Sequence, residues 1–147
     1  MSTYPALLLL HLFAAIVFAG AVFFEVLMLD GVRRHLPRET VAQVERAIAD
    51  RARRLMPWVL LVLYGAGIGM ALRYRALLAQ PLASSFGLLL WLKILLAASV
   101  FVHFATAMAW RRRGTLTGRR ARRLHASVFA HLTLIIVLAK AMFHVTW

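Results

Sequence analysis

Four apolar stretches, each near the ~20 residues that cross a bilayer, leave this chain little choice of fold. They run from about Pro5 to Leu29, Pro57 to Leu72, Ser85 to Trp110 and Leu124 to Trp147. The second is short unless Arg54–Met56 and Arg73–Tyr74 flank it at the interfaces. A backbone in hydrocarbon must satisfy its own N–H and C=O groups, so such runs form helices. Composition agrees. Of the 147 residues 63% are apolar, against roughly 45–50% in soluble domains. The expected fold is all-α: an integral membrane four-helix bundle, a single membrane domain over residues 1–147. The first stretch lacks a basic n-region and is too long for a signal-peptide core, so it is expected to stay as a span. Cysteine is absent, which excludes disulfides, thiolate metal sites, iron–sulfur clusters and covalently attached haem.

The net charge of +13 would suit a nucleic-acid partner, but its distribution argues for a membrane. The connection between spans one and two holds Arg33, Arg34, Arg38, Arg46, Arg51, Arg53 and Arg54. That between spans three and four holds Arg111, Arg112, Arg113, Arg119, Arg120, Arg122 and Arg123, whereas the middle connection holds only Arg73 and Arg75. The positive-inside rule places both Arg-rich connections in the cytoplasm and both termini outside, on the periplasmic face of a bacterial-type inner membrane. Anionic lipid headgroups are the expected partners of the arginines. No aromatic stacking surface interleaves with them, so no nucleic acid is expected. Within the first connection, Thr40-x-x-Gln43 reads as a capping box. Val41, Val44, Ile48 and Leu55 follow at helical spacing, which predicts an amphipathic interfacial helix feeding span two near Pro57. Gly114 and Gly118 predict a short turn in the second. Tyr4, Trp58, Tyr74, Trp110 and Trp147 fall near span ends, where interfacial aromatics belong. Gly65-x-x-x-Gly69 in span two would let another backbone approach closely.

Seven ionisable side chains lie inside the spans: His11, Glu25, Lys93, His103, His131, Lys140 and His144. Each costs at least a few kcal/mol in hydrocarbon unless it faces a partner or a cavity. His103 lies seven residues before Trp110 and His131 seven after Leu124, so the two should sit at one depth on antiparallel spans. That spacing suits axial ligation of a b-type haem. His11, His144 and Met142 form an outer His/Met set suited to copper. Lys93 and Lys140, also in the outer half, suit an anionic group such as a porphyrin propionate or a substrate carboxylate. His11, Phe18 and Glu25 share a stripe on span one. Lys140 and His144 should share a face at i,i+4, as should His131 and Met142. Each residue also has a plainer reading. Membrane histidines often only hydrogen-bond a neighbouring helix, lysines snorkel, Met70 and Met108 fill core, and Glu25 pairs with an arginine such as Arg54. His35 in the loop and His125 at the inner interface are read as solvated or lipid-facing.

Two families resemble the chain. His11-(x)6-Phe18-Ala19-Gly20-Ala21 resembles the His…Trp-x-Gly-Gly stretch that opens the CopD-type membrane domain. Ser85-Phe86-Gly87-Leu88-Leu89-Leu90-Trp91-Leu92-Lys93-Ile94-Leu95-Leu96 resembles that domain's S-x-x-G-x-L-L-x-x-K-x-x-L segment. Arg53-Arg54-Leu55 and Gly65/Gly67 also fit. The resemblance covers essentially the whole chain and implies copper resistance or uptake at the inner membrane. HemJ-type protoporphyrinogen oxidase is similar in size and span number. It uses a first-span His, a third-span Lys and haem b, positions that His11 and Lys93 match, with His103 and Lys140 close to further ones. The chain departs from it at Phe18, at Phe24-Glu25 and in lacking the Asn-Glu-x-Pro of the fourth span. Three readings follow. The first is CopD-like copper handling. The second is haem-b redox chemistry, which would make the chain a membrane oxidoreductase. The third is a structural subunit of a homo-oligomer or larger membrane complex. The first ranks highest and does not require an enzyme.

Overall fold

The computed structural model describes residues 3–145, and among them it is helical with no strand. The chain divides into two compact units, Met1–Arg73 and Tyr74–Trp147. Among the described residues, four helices are long and apolar enough to cross a membrane. Large apolar side chains such as Leu9, Phe13, Ile16, Leu61, Leu95 and Val137 stand exposed along them. Water would not tolerate so much contiguous apolar surface, whereas lipid does.

In the first unit, α1 spans Tyr4–Val32 and α2 spans Arg38–Ala71. Pro5 stands in the first turn of α1, where its missing N–H costs nothing. Ala14, Phe18, Val22 and Leu29 form its buried stripe, packed against α2, which buries Leu60 and Ala66. The last turns of α1, Phe24–Leu29, are π-helical and carry Glu25. The capping box is not used: α2 begins at Arg38, so Thr40 lies inside its first turn and Pro37 holds the cap position. Nor does the helix break at Pro57. Its 34 residues extend ~51 Å at 1.5 Å per residue, well beyond a ~30 Å hydrocarbon core. The Arg-rich first half and the apolar second half are therefore one rod. Arg73 lies over the Tyr4 ring, 5.5 Å from its centroid, where the ends of the pair meet.

Glu25 pairs with an arginine, as expected, and that arginine is Arg33, at 3.6 Å. Arg33 also bonds Asp30 at 3.2 Å and Glu45, so three of the chain's five carboxylates converge on one guanidinium that is 14% exposed. Burial alone would lower the Arg33 pKa, but Glu45, Asp30 and Glu25 outweigh it and hold it above its ordinary value. The knot ties the end of α1 to the first turns of α2. Arg33→Met is expected to cost roughly 1–3 kcal/mol, because it strands three carboxylates at once. Arg34→Met, at an exposed side chain 4.0 Å from Asp30, should stay within about 0.5 kcal/mol. Thermal unfolding of both variants in detergent checks the pair, and equal effects would dismiss the knot.

The second unit holds α3 (Arg75–Ala79), α4 (Ser85–Arg112) and α5 (Gly118–Ala141). The Ser84 hydroxyl caps α4 by accepting from the Gly87 N–H at 3.1 Å. Trp91 Nε1 donates to the Leu78 carbonyl at 2.8 Å, which folds the short α3 segment onto the start of α4. Gly87 permits that approach, since a Cβ there would meet the Pro81 carbonyl at 3.1 Å. At the other end Gly114 adopts φ +67, the Gly114 N–H donates to the Arg111 carbonyl and the Thr115 N–H to the Trp110 carbonyl. This is a glycine C-cap with both orphan carbonyls satisfied. α5 ends at Ala141, short of the expected Trp147, and Met142–His144 form a turn. Lys140 and His144 therefore do not share a helical face, although both are exposed. Trp147 lies outside the described residues.

Candidate functional site

Polar side chains inside the apolar spans make two arrangements, one in each unit.

In the first, the His11 Nδ1 lies 2.9 Å from the Leu63 carbonyl oxygen of α2. A carbonyl only accepts, so Nδ1 donates this bond. The ring rests over Gly67, where a Cβ would stand 3.1 Å from His11 Cε1 and 3.2 Å from Nδ1. Gly69 likewise admits Leu7, while a Cβ at Gly65 would meet nothing within 4 Å. The close approach thus belongs to Gly67 and Gly69, and not to the Gly65-x-x-x-Gly69 pair. Sequence spacing favoured the wrong glycine because a helix shows spacing but not which face meets α1.

The second arrangement lies between α4 and α5. His103 and His131 sit at one depth, as expected, with ring centroids 5.1 Å apart. Each Nδ1 donates to a carbonyl one turn back on its own helix: His103 to Ser99 at 2.7 Å, His131 to Ser127 at 2.8 Å. Each Nε2 then accepts from a serine hydroxyl of the other helix: His103 from Ser127 at 2.9 Å, His131 from Ser99 at 3.0 Å. The result is a reciprocal clasp that uses all four ring nitrogens. Ser127 was missed at the sequence level, although the signal is plain. Ser99-Val-Phe-Val-His103 and Ser127-Val-Phe-Ala-His131 are a five-residue repeat. Val100 and Val128 of the repeat are both buried. On antiparallel helices such a repeat builds a local two-fold, and each copy supplies what the other lacks. To hold a metal or haem through Nε2, either histidine would first have to release its serine. An open apolar groove passes the clasp, lined by Leu92, Leu95, Leu96, Leu134 and Leu138, with Ser99 and His131 as its polar members.

The remaining candidates of the second unit lie outside the clasp. Met142 is buried at the end of α5, His144 is exposed just beyond, Lys140 is exposed, and Lys93 is half-buried on α4. Among the described residues no three His, Asp or Glu side chains gather closely enough to hold a metal ion.

The fold and these polar pairs define a helical protein with four potential membrane spans and intramembrane histidines. No family model, curated protein or solved structure matches the chain.

Proposed function

We propose that this chain is a CopD-like inner-membrane protein that handles copper, with both termini outside and its four spans gathered in a bundle. His11 is its anchored ligand. The observation that carries this reading is the seating of the His11 ring: Nδ1–H on the Leu63 carbonyl, imidazole over Gly67. Imidazoles that ligate metals donate their other N–H to a carbonyl or carboxylate, which fixes the tautomer and aims Nε2. His11 has that support built into α2. Imidazole nitrogen suits copper. The resemblance of the His11–Ala21 stretch to the opening of the CopD domain supports the same assignment.

The clasp favours a second reading. Histidines whose four ring nitrogens are all hydrogen-bonded across two helices act as polar packing groups, as in a subunit of a larger membrane complex. Haem b would take the Nε2 lone pairs of His103 and His131, and Lys93 and Lys140 would hold its carboxylates.

The test is elemental analysis and a reduced-minus-oxidised spectrum of the full-length protein in detergent. Stoichiometric copper that His11→Ala reduces at least tenfold is the expected result. Equal copper in both proteins removes His11 as a ligand. A b-type haem band without copper moves the function to the redox reading, and neither metal leaves the packing role.

A further inference from the structure

The chain's charge is divided unevenly. Residues 1–73 carry eight Lys and Arg and all five carboxylates, whereas residues 74–147 carry ten Lys and Arg and no Asp or Glu. The two Arg-rich connections, alike in arginine count, are therefore unlike in chemistry. In the first, Arg33, Arg34 and Arg53 find Glu25, Asp30, Glu45 and Asp50. In the second, no side-chain carboxylate of its own unit exists to answer seven arginines.

Those arginines are also shaped. Thr115, Thr117, Arg119, Arg120 and Arg123 line one concavity where α5 begins. Arg120 is held in place: its guanidinium lies over the Trp110 ring, 5.2 Å from the centroid, and Nη1 donates to the Thr115 carbonyl at 2.8 Å. Arg119 and Arg123 are i,i+4 neighbours of like charge, which destabilises a bare helix. The positive end of the helix dipole adds to the repulsion, and no acidic residue occupies the first turn. An anion in the concavity relieves both repulsions. Trp110 and the end of an apolar span put this concavity at headgroup level.

We propose that this concavity binds the phosphate of an anionic phospholipid headgroup, with Arg119 and Arg123 as its charged walls and Arg120 as its fixed side. The first connection is partly neutralised from within. The proposal does not depend on copper or haem.

The experiment titrates short-chain phosphatidylglycerol into the full-length protein in neutral detergent and reads Kd. Saturable binding to wild type is expected. The Arg119→Gln/Arg123→Gln double variant should weaken it by about thirty-fold, the factor that two interfacial charges of ~1 kcal/mol each supply. Arg51→Gln/Arg54→Gln removes as much charge from the first connection and should change Kd less than threefold. Equal losses in the two double variants would reduce the effect to net charge and overturn the site. Phosphatidylcholine binding as tightly would overturn the anionic requirement. Inorganic phosphate that competes at the lipid's own Kd would overturn the lipid as the source. All these arginines but Arg33 and Arg111 are exposed, and circular dichroism of each variant confirms that the helices persist.

Discussion

On the copper reading, Gly67→Ala is expected to weaken copper binding ten- to hundred-fold, the usual effect of disturbing the group that orients a ligating imidazole. It should also lower stability, whereas Gly65→Ala two residues earlier should raise it. The sign difference follows from geometry. Both substitutions gain about 1 kcal/mol of helix propensity. The Cβ at position 65 meets nothing within 4 Å, so its gain is kept. The Cβ at position 67 lies 3.1 Å from the His11 ring, which the Leu63 carbonyl holds in place. Overpacking of that kind costs about 1–3 kcal/mol, and the ring can move only by giving up its hydrogen bond. Gly69→Ala is the useful third member. Its nearest neighbour is the end of the Leu7 side chain, which can turn away, so the cost should be small. Thermal unfolding in detergent gives the stability order, and copper titration gives the affinity. If Gly65→Ala and Gly67→Ala behave alike in both, the seat for His11 is not formed. If stability splits but copper affinity does not, the seat is real and His11 is a packing group.

The four spans were legible because a backbone in hydrocarbon allows few alternatives, and long apolar runs declare themselves. The depth match of His103 and His131 was legible for a similar reason, since helical rise converts sequence offset into position. Faces and partners were not. Glu25 was expected to meet an arginine such as Arg54; the arginine it meets is Arg33, brought near by the π-helical turn and the short loop after α1. The capping box at Thr40 matched a local pattern. The helix nonetheless started earlier, behind Pro37, whose own φ and ψ of −56 and 145 already set the chain at the helix entrance. Pro57 was expected at the start of a span, and it sits inside a continuous helix, where only one N–H is lost. The clasp shows a different gap. Their depths pair His103 with His131, but depth does not show that each ring takes a serine from the other helix. The repeated Ser-Val-Phe-x-His was the signal that the residues act as two pairs.

That repeat sets up the second large effect. Replacing both Ser99 and Ser127 with alanine should lower the stability of the helical protein by about 1–3 kcal/mol, since each interhelical hydrogen bond in a membrane is worth ~0.6 to ~1.7 kcal/mol. The two single variants should agree within about 0.5 kcal/mol, because each serine makes the same bond to its opposite histidine, at 3.0 and 2.9 Å. His103→Ala should cost more than Ser127→Ala. It removes a half-buried ring as well as the bond, and it also empties the Ser99 carbonyl of its second donor. The paired cycle of Ser127→Ala and His103→Ala then isolates the shared bond. The serine variants also decide what the histidines are for. Serine loss leaves both Nδ1 donors in place and releases both Nε2 lone pairs. If the pair ligates haem or copper, the Ser99→Ala/Ser127→Ala protein should hold at least as much of the metal as wild type, despite being less stable, while His103→Ala holds less. If the pair only clasps the helices, stability falls in both variants and metal content follows neither. Unequal single-serine effects of more than about 1 kcal/mol would break the two-fold argument, since the repeat gives Val100 and Val128 the same buried place beside each serine.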